Sequence, residues 1–229
     1  MNIELAEEYQ NKTFENYFQN QRPEMLSYIP QNVSKILDIG CSDGSFSWQL
    51  KSEQNIEVWG VEPNRRAAEI AAKRLDKVIC DVFSENLDLP EKHFDCIIFN
   101  DVLEHFVDHC GALTYAKNLL RDKGVVVASI PNVRYFDNIW NLVVHKNWEY
   151  QDWGILDSTH LRFFTCRSIE STFRKLGYQI TQIQGINPLE KVHPYQSRKF
   201  EILNWLLLKK IEDMRFLQFA VVASPCEQS

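Results

Sequence analysis

Six cysteines, Cys41, Cys80, Cys96, Cys110, Cys166 and Cys226, stand far apart, and no two form a Cys-x-x-Cys pair. That spacing excludes a zinc ribbon and a thioredoxin-like motif, and it predicts free, mostly buried thiols. Lysine and arginine never gather into a run, and the net charge is −6, so no counterion-releasing surface for nucleic acid is visible. Long apolar stretches are missing as well. Val125-Val126-Val127-Ala128 and Leu206-Leu207-Leu208 fall far short of the roughly 20 residues that a spanning helix needs. The first residues, Met1-Asn2-Ile3-Glu4-Leu5-Ala6-Glu7-Glu8, are acidic and lack the basic and apolar regions of a secretory signal, so a cytoplasmic location is expected. No internal repeat and no low-complexity tract interrupts the chain.

What is present reads as one large α/β domain. Hydrophobic residues make up 45% and charged residues 24% of the 229, enough to bury a sizeable core. Residues 33–40 are a short apolar run that stops at Gly40, and residues 45–53 then take helical spacing. The alternation continues with strands at 57–61, 77–80, 94–99 and 124–130 and helices at 64–75 and near 112–120. Strands alternating with helices indicate βαβ units and a parallel sheet. Residues 132–164 break the pattern with Trp140, Trp148, Trp153 and five further aromatic residues, which reads as an inserted lid or acceptor wall. A helix at 167–176, a strand at 178–183, an amphipathic helix at 199–211 and a strand at 217–224 complete the series. The apolar stripe of helix 199–211, with its basic ends, is expected to pack on its own domain or across a homodimer.

Asp38-Ile39-Gly40-Cys41-Ser42-Asp43-Gly44 lies where a strand hands over to a helix, so its small residues let the backbone approach a ligand and offer it N–H groups. A dehydrogenase fingerprint would need Gly-x-Gly-x-x-Gly, whereas the corresponding places hold Gly40, Ser42 and Ser45. The next strand ends in Val61-Glu62-Pro63, where an acid can accept both hydroxyls of an adenosyl ribose. Asp81, in Cys80-Asp81-Val82, follows the third strand, where a carboxylate can accept from an adenine amino group while Val82 packs on the ring. Each acid alone reads as a solvated loop residue. Three of them after three consecutive strands, beside a glycine turn, converge on one crevice.

Ile36-Leu37-Asp38-Ile39-Gly40-Cys41-Ser42-Asp43-Gly44, then Glu62, Asp81 and Phe94-Asp95-Cys96-Ile97-Ile98, resemble the class I S-adenosylmethionine-dependent methyltransferases. The likeness runs from residue 14 to about 224. It implies a doubly wound, Rossmann-like, seven-stranded and mostly parallel sheet, with the last two strands as an antiparallel pair and an aromatic-rich insertion after the fifth. It implies S-adenosylmethionine as cofactor, with Asp38 and Gly40 flanking the methionine moiety, Glu62 at the ribose, Asp81 and Val82 at the adenine, and Cys41, Gly44, Pro63 and Asn100 as further cofactor contacts. Ser42 departs from the glycine that many relatives carry. Residues 1–32 resemble the N-terminal helical cover of a subset of these enzymes, which would bring Tyr17 and Arg22 over the cofactor, Arg22 offering its planar fork to a carboxylate. The methyltransferase domain is then 33–224, with insertions at 132–164 and 188–213.

For the acceptor the sequence offers two polar clusters. In Asn100-Asp101-Val102-Leu103-Glu104-His105 a helix would place Asp101, Glu104 and His105 on one face, where they could form half of a divalent-metal site. A structural or substrate-orienting role is the expectation, with no metal required. The run also lacks the Asn-Pro-Pro-aromatic signature of enzymes that act on DNA bases, which argues against a nucleobase. The second cluster, Leu156-Asp157-Ser158-Thr159-His160-Leu161-Arg162-Phe163-Phe164, resembles a segment in methyltransferase-domain proteins encoded with bacterial surface-polysaccharide enzymes. That resemblance implies a sugar or glycan acceptor held by Trp153, Asp157 and Arg162, with His105 or His160 as base. C- or N-methylation of a quinone-like metabolite, and a non-catalytic cofactor-binding protein, stand as alternatives.

Overall fold

The computed structural model describes residues 22–226. Among them β1 (Lys35–Ile39), β2 (Glu57–Val61), β3 (Lys77–Ile79), β4 (Phe94–Asn100), β5 (Leu120–Pro131), β6 (Tyr178–Pro188) and β7 (Phe216–Pro225) form one seven-stranded sheet in the order β3-β2-β1-β4-β5-β7-β6. The first five are parallel, and β7 lies antiparallel between β5 and β6. The order turns back between β1 and β4, the topological switch at which open α/β sheets leave a crevice beyond their strand carboxyl ends.

The central strands are buried on both faces, which is why they read as apolar runs without alternation. Side chains nevertheless alternate across the sheet. Leu37, Ile39, Ile97, Phe99 and Val126 join one buried cluster, and Ile36, Cys96, Ile98 and Val127 join another on the opposite face.

Helices α1 (Ser45–Glu53), α2 (Arg65–Ala71), α3 (His109–Leu119), α4 (Phe136–Val144), α5 (Cys166–Lys175), α6 (Leu189–Val192) and α7 (Pro194–Leu206) flank the sheet. Local chemistry sets several of their starts. Asn64 accepts from Ala67 N at 3.0 Å and Asp108 from Gly111 N at 2.8 Å, while Thr165 and Ser168 form a reciprocal capping box.

The last helix is displaced from the expected 199–211. It begins at Pro194, whose fixed φ suits a first helical position, and closes at Leu206; Leu208 and Lys209 then adopt left-handed backbone. Its stripe is only half covered. Phe200 and Asn204 are buried, whereas Trp205 (73% exposed) and Leu208 (80%) face outward.

The two segments that the sequence marks as insertions pack on each other. Tyr135 and Phe136 of the first, and Leu189 and Phe200 of the second, form with Met214 a third buried cluster separate from the sheet cores. Arg134 clamps Asp213 with two hydrogen bonds, at 2.6 and 3.2 Å, and Asn132 donates to the carbonyls of Asp213 and Phe216. No helix among the described residues is long and apolar enough to cross a membrane.

Candidate functional site

A cavity of about 1380 Å³ opens over the carboxyl ends of β1 and β4, and the insertion at 132–164 and the glycine turn contribute to its walls. At its cofactor end β1 delivers Asp38, 3% exposed, whose carboxylate accepts from Ser47 Oγ at 2.6 Å. Burial pushes the Asp38 carboxyl up to about 7, the Ser47 bond opposing the shift. Gly40 follows at φ +68, and a β-carbon there would lie 2.5 Å from Val102 Cγ2, so the turn demands glycine for conformation and for space. Gly44, at φ +77, ends the turn as the N-cap of α1. Ser42 also adopts a left-handed φ, of 54°, so the backbone accommodates serine where a glycine would be unstrained. The turn is pinned from outside by Arg74, which bridges to the buried Asp43 carboxylate at 2.7 Å and donates to its carbonyl at 2.7 Å.

Asp38, Gly40, Cys41, Pro63, Val82, Asn100 and Arg22 all line the cavity. Asn100 is the most open of these to a ligand, since both polar atoms of its amide are buried with no hydrogen-bond partner among the described residues. Glu62 directly follows β2, which ends at Val61. It is fully buried, its oxygens accepting from Ser42 N at 2.9 Å and Asn64 N at 2.7 Å, so it ties the glycine turn to the loop after β2 while its neighbours Val61 and Pro63 form the wall. Asp81 is exposed and accepts from the adjacent Val82 N at 2.7 Å; Val82, Phe83 and Ser84 reach the cavity in its stead. Arg22 does reach the site, but its guanidinium contacts Asp101 and donates to Gln218 Oε1 at 3.0 Å. Tyr17 lies outside the described residues.

The acceptor end corrects the sequence reading more sharply. Asp101, Glu104 and His105 do not share a helical face. Asp101 has a left-handed φ of 52°, which stops regular structure at the end of β4, and only Leu103–His105 forms a single 3-10 turn. Asp101 therefore turns away toward Arg22, Ser129 Oγ at 3.0 Å and Gln218 Nε2 at 2.8 Å. Its place beside Glu104 and His105 is taken by His160, from the insertion. The two imidazoles meet edge to face with ring centroids 4.7 Å apart, and His160 Nε2 lies 3.9 Å from Glu104 Oε1. Glu104 is 1% exposed, and burial drives its carboxyl up to about 8.

The chemistry of their partners fixes the role of each Nδ1. His160 Nδ1 lies 2.9 Å from the Ile155 carbonyl, which can only accept, so Nδ1 carries a proton. His105 Nδ1 lies 3.2 Å from Thr159 O and 3.1 Å from Thr159 Oγ1, whose own proton goes to Asp157 at 2.6 Å; Nδ1 again is the donor. Asp157, 2% exposed, is thus committed to Thr159 through its hydroxyl and its N–H, and it braces a histidine. Arg162 is exposed, donating to the carbonyls of Leu161 and Val107, and it braces the loop in the same way. Trp153 stands at the cavity wall, 72% exposed. Thr159, Gln218 and Arg74 escaped sequence reasoning, because each acts through a partner distant in the chain and carries no local motif.

Against known proteins, a methyltransferase-domain family matches residues 9–183. A probable methyltransferase of Arabidopsis thaliana, PMT28, is 29% identical over 139 residues, covering 55% of this chain and 19% of its own length. The ubiquinone biosynthesis O-methyltransferase of Pasteurella multocida is 26% identical over 142 residues, covering 53% of this chain and 57% of its own. The chain thus spans from about a fifth to little more than half of these curated relatives. The crystal structure of a SAM-dependent methyltransferase from Archaeoglobus fulgidus superposes with a TM-score of 0.64 at 20% identity, over 87% of this chain and 90% of that one, and shares the fold. Sheet order, glycine turn and family match agree: the chain belongs to the methyltransferase-domain family, in which S-adenosylmethionine is the methyl donor.

Proposed function

We propose that the protein transfers the methyl group of S-adenosylmethionine to a hydroxyl oxygen of a small polar acceptor. The observation that carries this reading is the His105–His160–Glu104 cluster at the acceptor end of the cavity, where both imidazoles are oriented by fixed acceptors at Nδ1. A hydroxyl must lose its proton as its oxygen attacks the sulfonium methyl, and a positioned acceptor for that proton contributes about 10²–10⁴-fold. The rest of the task is alignment and exclusion of water, which a cavity walled by the insertion at 132–164 supplies.

A sugar or glycan intermediate is the first acceptor class. Trp153 offers an exposed aromatic plane for a pyranose ring, and the 156–164 segment resembles proteins encoded with surface-polysaccharide enzymes. A phenolic, quinone-like acceptor is the second, favoured by the name of the Pasteurella relative and by Phe106 and Tyr115 in the cavity lining. In the cofactor pocket Asp38 receives the methionine ammonium and Asn100 the methionine end, while the Val82–Ser84 segment covers the adenine.

Calorimetric titration with S-adenosylmethionine and S-adenosylhomocysteine tests the cofactor half. Binding of both that collapses in Asp38→Ala supports it; binding of neither ends the methyltransferase reading. Labelled-methyl turnover with nucleotide sugars and with catechols then separates the acceptors. Product labelled at carbon or nitrogen, with His105→Ala and His160→Ala fully active, would overturn the hydroxyl assignment.

A further inference from the structure

We propose that the outer face of α7, with the turn that follows it, docks the protein on the surface of an anionic phospholipid bilayer as a peripheral, reversible contact. The helix carries two stripes. Gln196, Phe200 and Asn204, spaced four residues apart, are buried. Tyr195, Ile202, Trp205 and Leu206 lie on the other side, each more than half exposed, and Leu207 and Leu208 continue the apolar run beyond the helix. Packing within the described residues leaves this run open to water. Leu208 even adopts a left-handed φ of 53°, a conformation that glycine or asparagine takes more readily.

Charge selects the occupant. The chain carries −6 overall, yet Arg198, Lys199, Lys209 and Lys210 bracket the apolar run, with Glu201 as the one acid between them. Glu201 contacts Arg215, which also holds Glu190 and Glu212, so these acids are already answered within the fold. Lys199 lies over the Trp140 ring, 5.2 Å from its centroid. Arg198, Lys209 and Lys210 are exposed and make no ion pair among the described residues. The result is a basic rim around a ridge of tryptophan and leucine. That pattern fits a bilayer interface, where indole rings settle at headgroup depth, leucines enter the acyl boundary and long basic side chains reach anionic phosphates. A second copy of the chain fits worse, because pairing the face with itself brings two basic rims together with no uncommitted acid to answer them.

The contact engages the cover and not the sheet. Phe200 of α7 packs on Phe136 of α4, ring centroids 5.4 Å apart, and α4 belongs to the insertion that walls the cavity. Docking therefore anchors the protein through its acceptor side and leaves the cofactor crevice to the sheet. It requires no methyl transfer, and its test uses none.

The test is co-sedimentation of the full chain with vesicles of phosphatidylcholine alone and of phosphatidylcholine mixed equally with phosphatidylglycerol. Sedimentation equilibrium without lipid and thermal unfolding are measured in parallel. Wild type should bind the anionic vesicles about tenfold or more tightly than the neutral ones, and raising the ionic strength from about 0.05 M to about 0.5 M should release it. The double variant Trp205→Ser, Leu208→Ser should weaken binding about tenfold or more. The double variant Lys209→Glu, Lys210→Glu should weaken it by about fivefold or more at each position. All four positions are exposed, so unfolding temperatures should not move. Failure of wild type to bind anionic vesicles, indifference to lipid charge, or equal binding by wild type and both variants would overturn the proposal. So would a lipid-free dimer that the serine variant converts to monomer, which would assign the face to a second copy. The glutamate variant, which keeps the apolar ridge, decides the matter should the serine variant unfold.

Discussion

The cofactor half and the acceptor half of this molecule are built on different principles. Around the cofactor, each feature is a backbone necessity at the end of a strand: Gly40 because no side chain fits under Val102, Asp38 because β1 ends there. Around the acceptor, each feature depends on two segments distant in sequence. His160 reaches Glu104 across 56 residues, Arg134 holds Asp213 across 79, and Phe200 packs on Phe136 across 64. The first half is therefore rigid with the sheet, and the second is a cover with its own small core.

The comparison breaks most readily at that small core. Phe200→Ala removes a fully buried ring from the third cluster and should cost about 3–5 kcal/mol locally. If the cover is separable, acceptor turnover is lost while S-adenosylmethionine still binds in calorimetry; simultaneous loss of both would show that the halves fold as one.

Gly40→Ala sits on the other side. A β-carbon at a positive φ costs about 1–2 kcal/mol, and the clash with Val102 adds about 1–3 kcal/mol, so urea denaturation should shift and cofactor affinity should fall together.

The pH dependence of cofactor affinity comes next. Asp38 must be charged to receive an ammonium, and its folded value is about 7, so affinity should fall about tenfold per unit below pH 7 and level off above it. The ligand-free protein runs in the opposite sense. A carboxyl raised from 3.8 to about 7 binds its proton more tightly folded than unfolded, so its contribution to stability is lost as pH rises through that window. Asp38→Asn should flatten both profiles.

The smallest effect is expected at Arg134→Ala. The pair with Asp213 is partly exposed, 40% and 30% at the two side chains, so solvent screening leaves about 1 kcal/mol or less. A rise in acceptor KM with unchanged cofactor affinity would mark it as a fastener of the cover, whereas an unchanged KM would show that the cluster around Phe200 suffices.

The same contrast explains how much was legible beforehand. All seven strands and the glycine turn follow from apolar runs ended by small residues, because buried parallel strands and tight turns constrain sequence locally. What the sequence leaves open are side chains whose roles are set by partners. Glu62 and Asp81 stand after the expected strands, and their carboxylates accept from nearby N–H groups. Asp101 was assigned to a helical face that its own left-handed φ forbids. Helix 199–211 was misplaced by five residues at each end, since its apolar stripe continues past the last helical turn into Leu207 and Leu208.

By itself, then, the sequence determined the sheet, its switch point and a cofactor crevice, because hydrophobic periodicity and glycine placement act over a few residues. Only the tertiary structure decided that Glu104, His105 and His160 meet, that Asp157 serves Thr159, and that the two insertions pack on each other. Those are contacts across tens of residues, fixed by packing and by which polar atoms remain unsatisfied, and no local pattern encodes them.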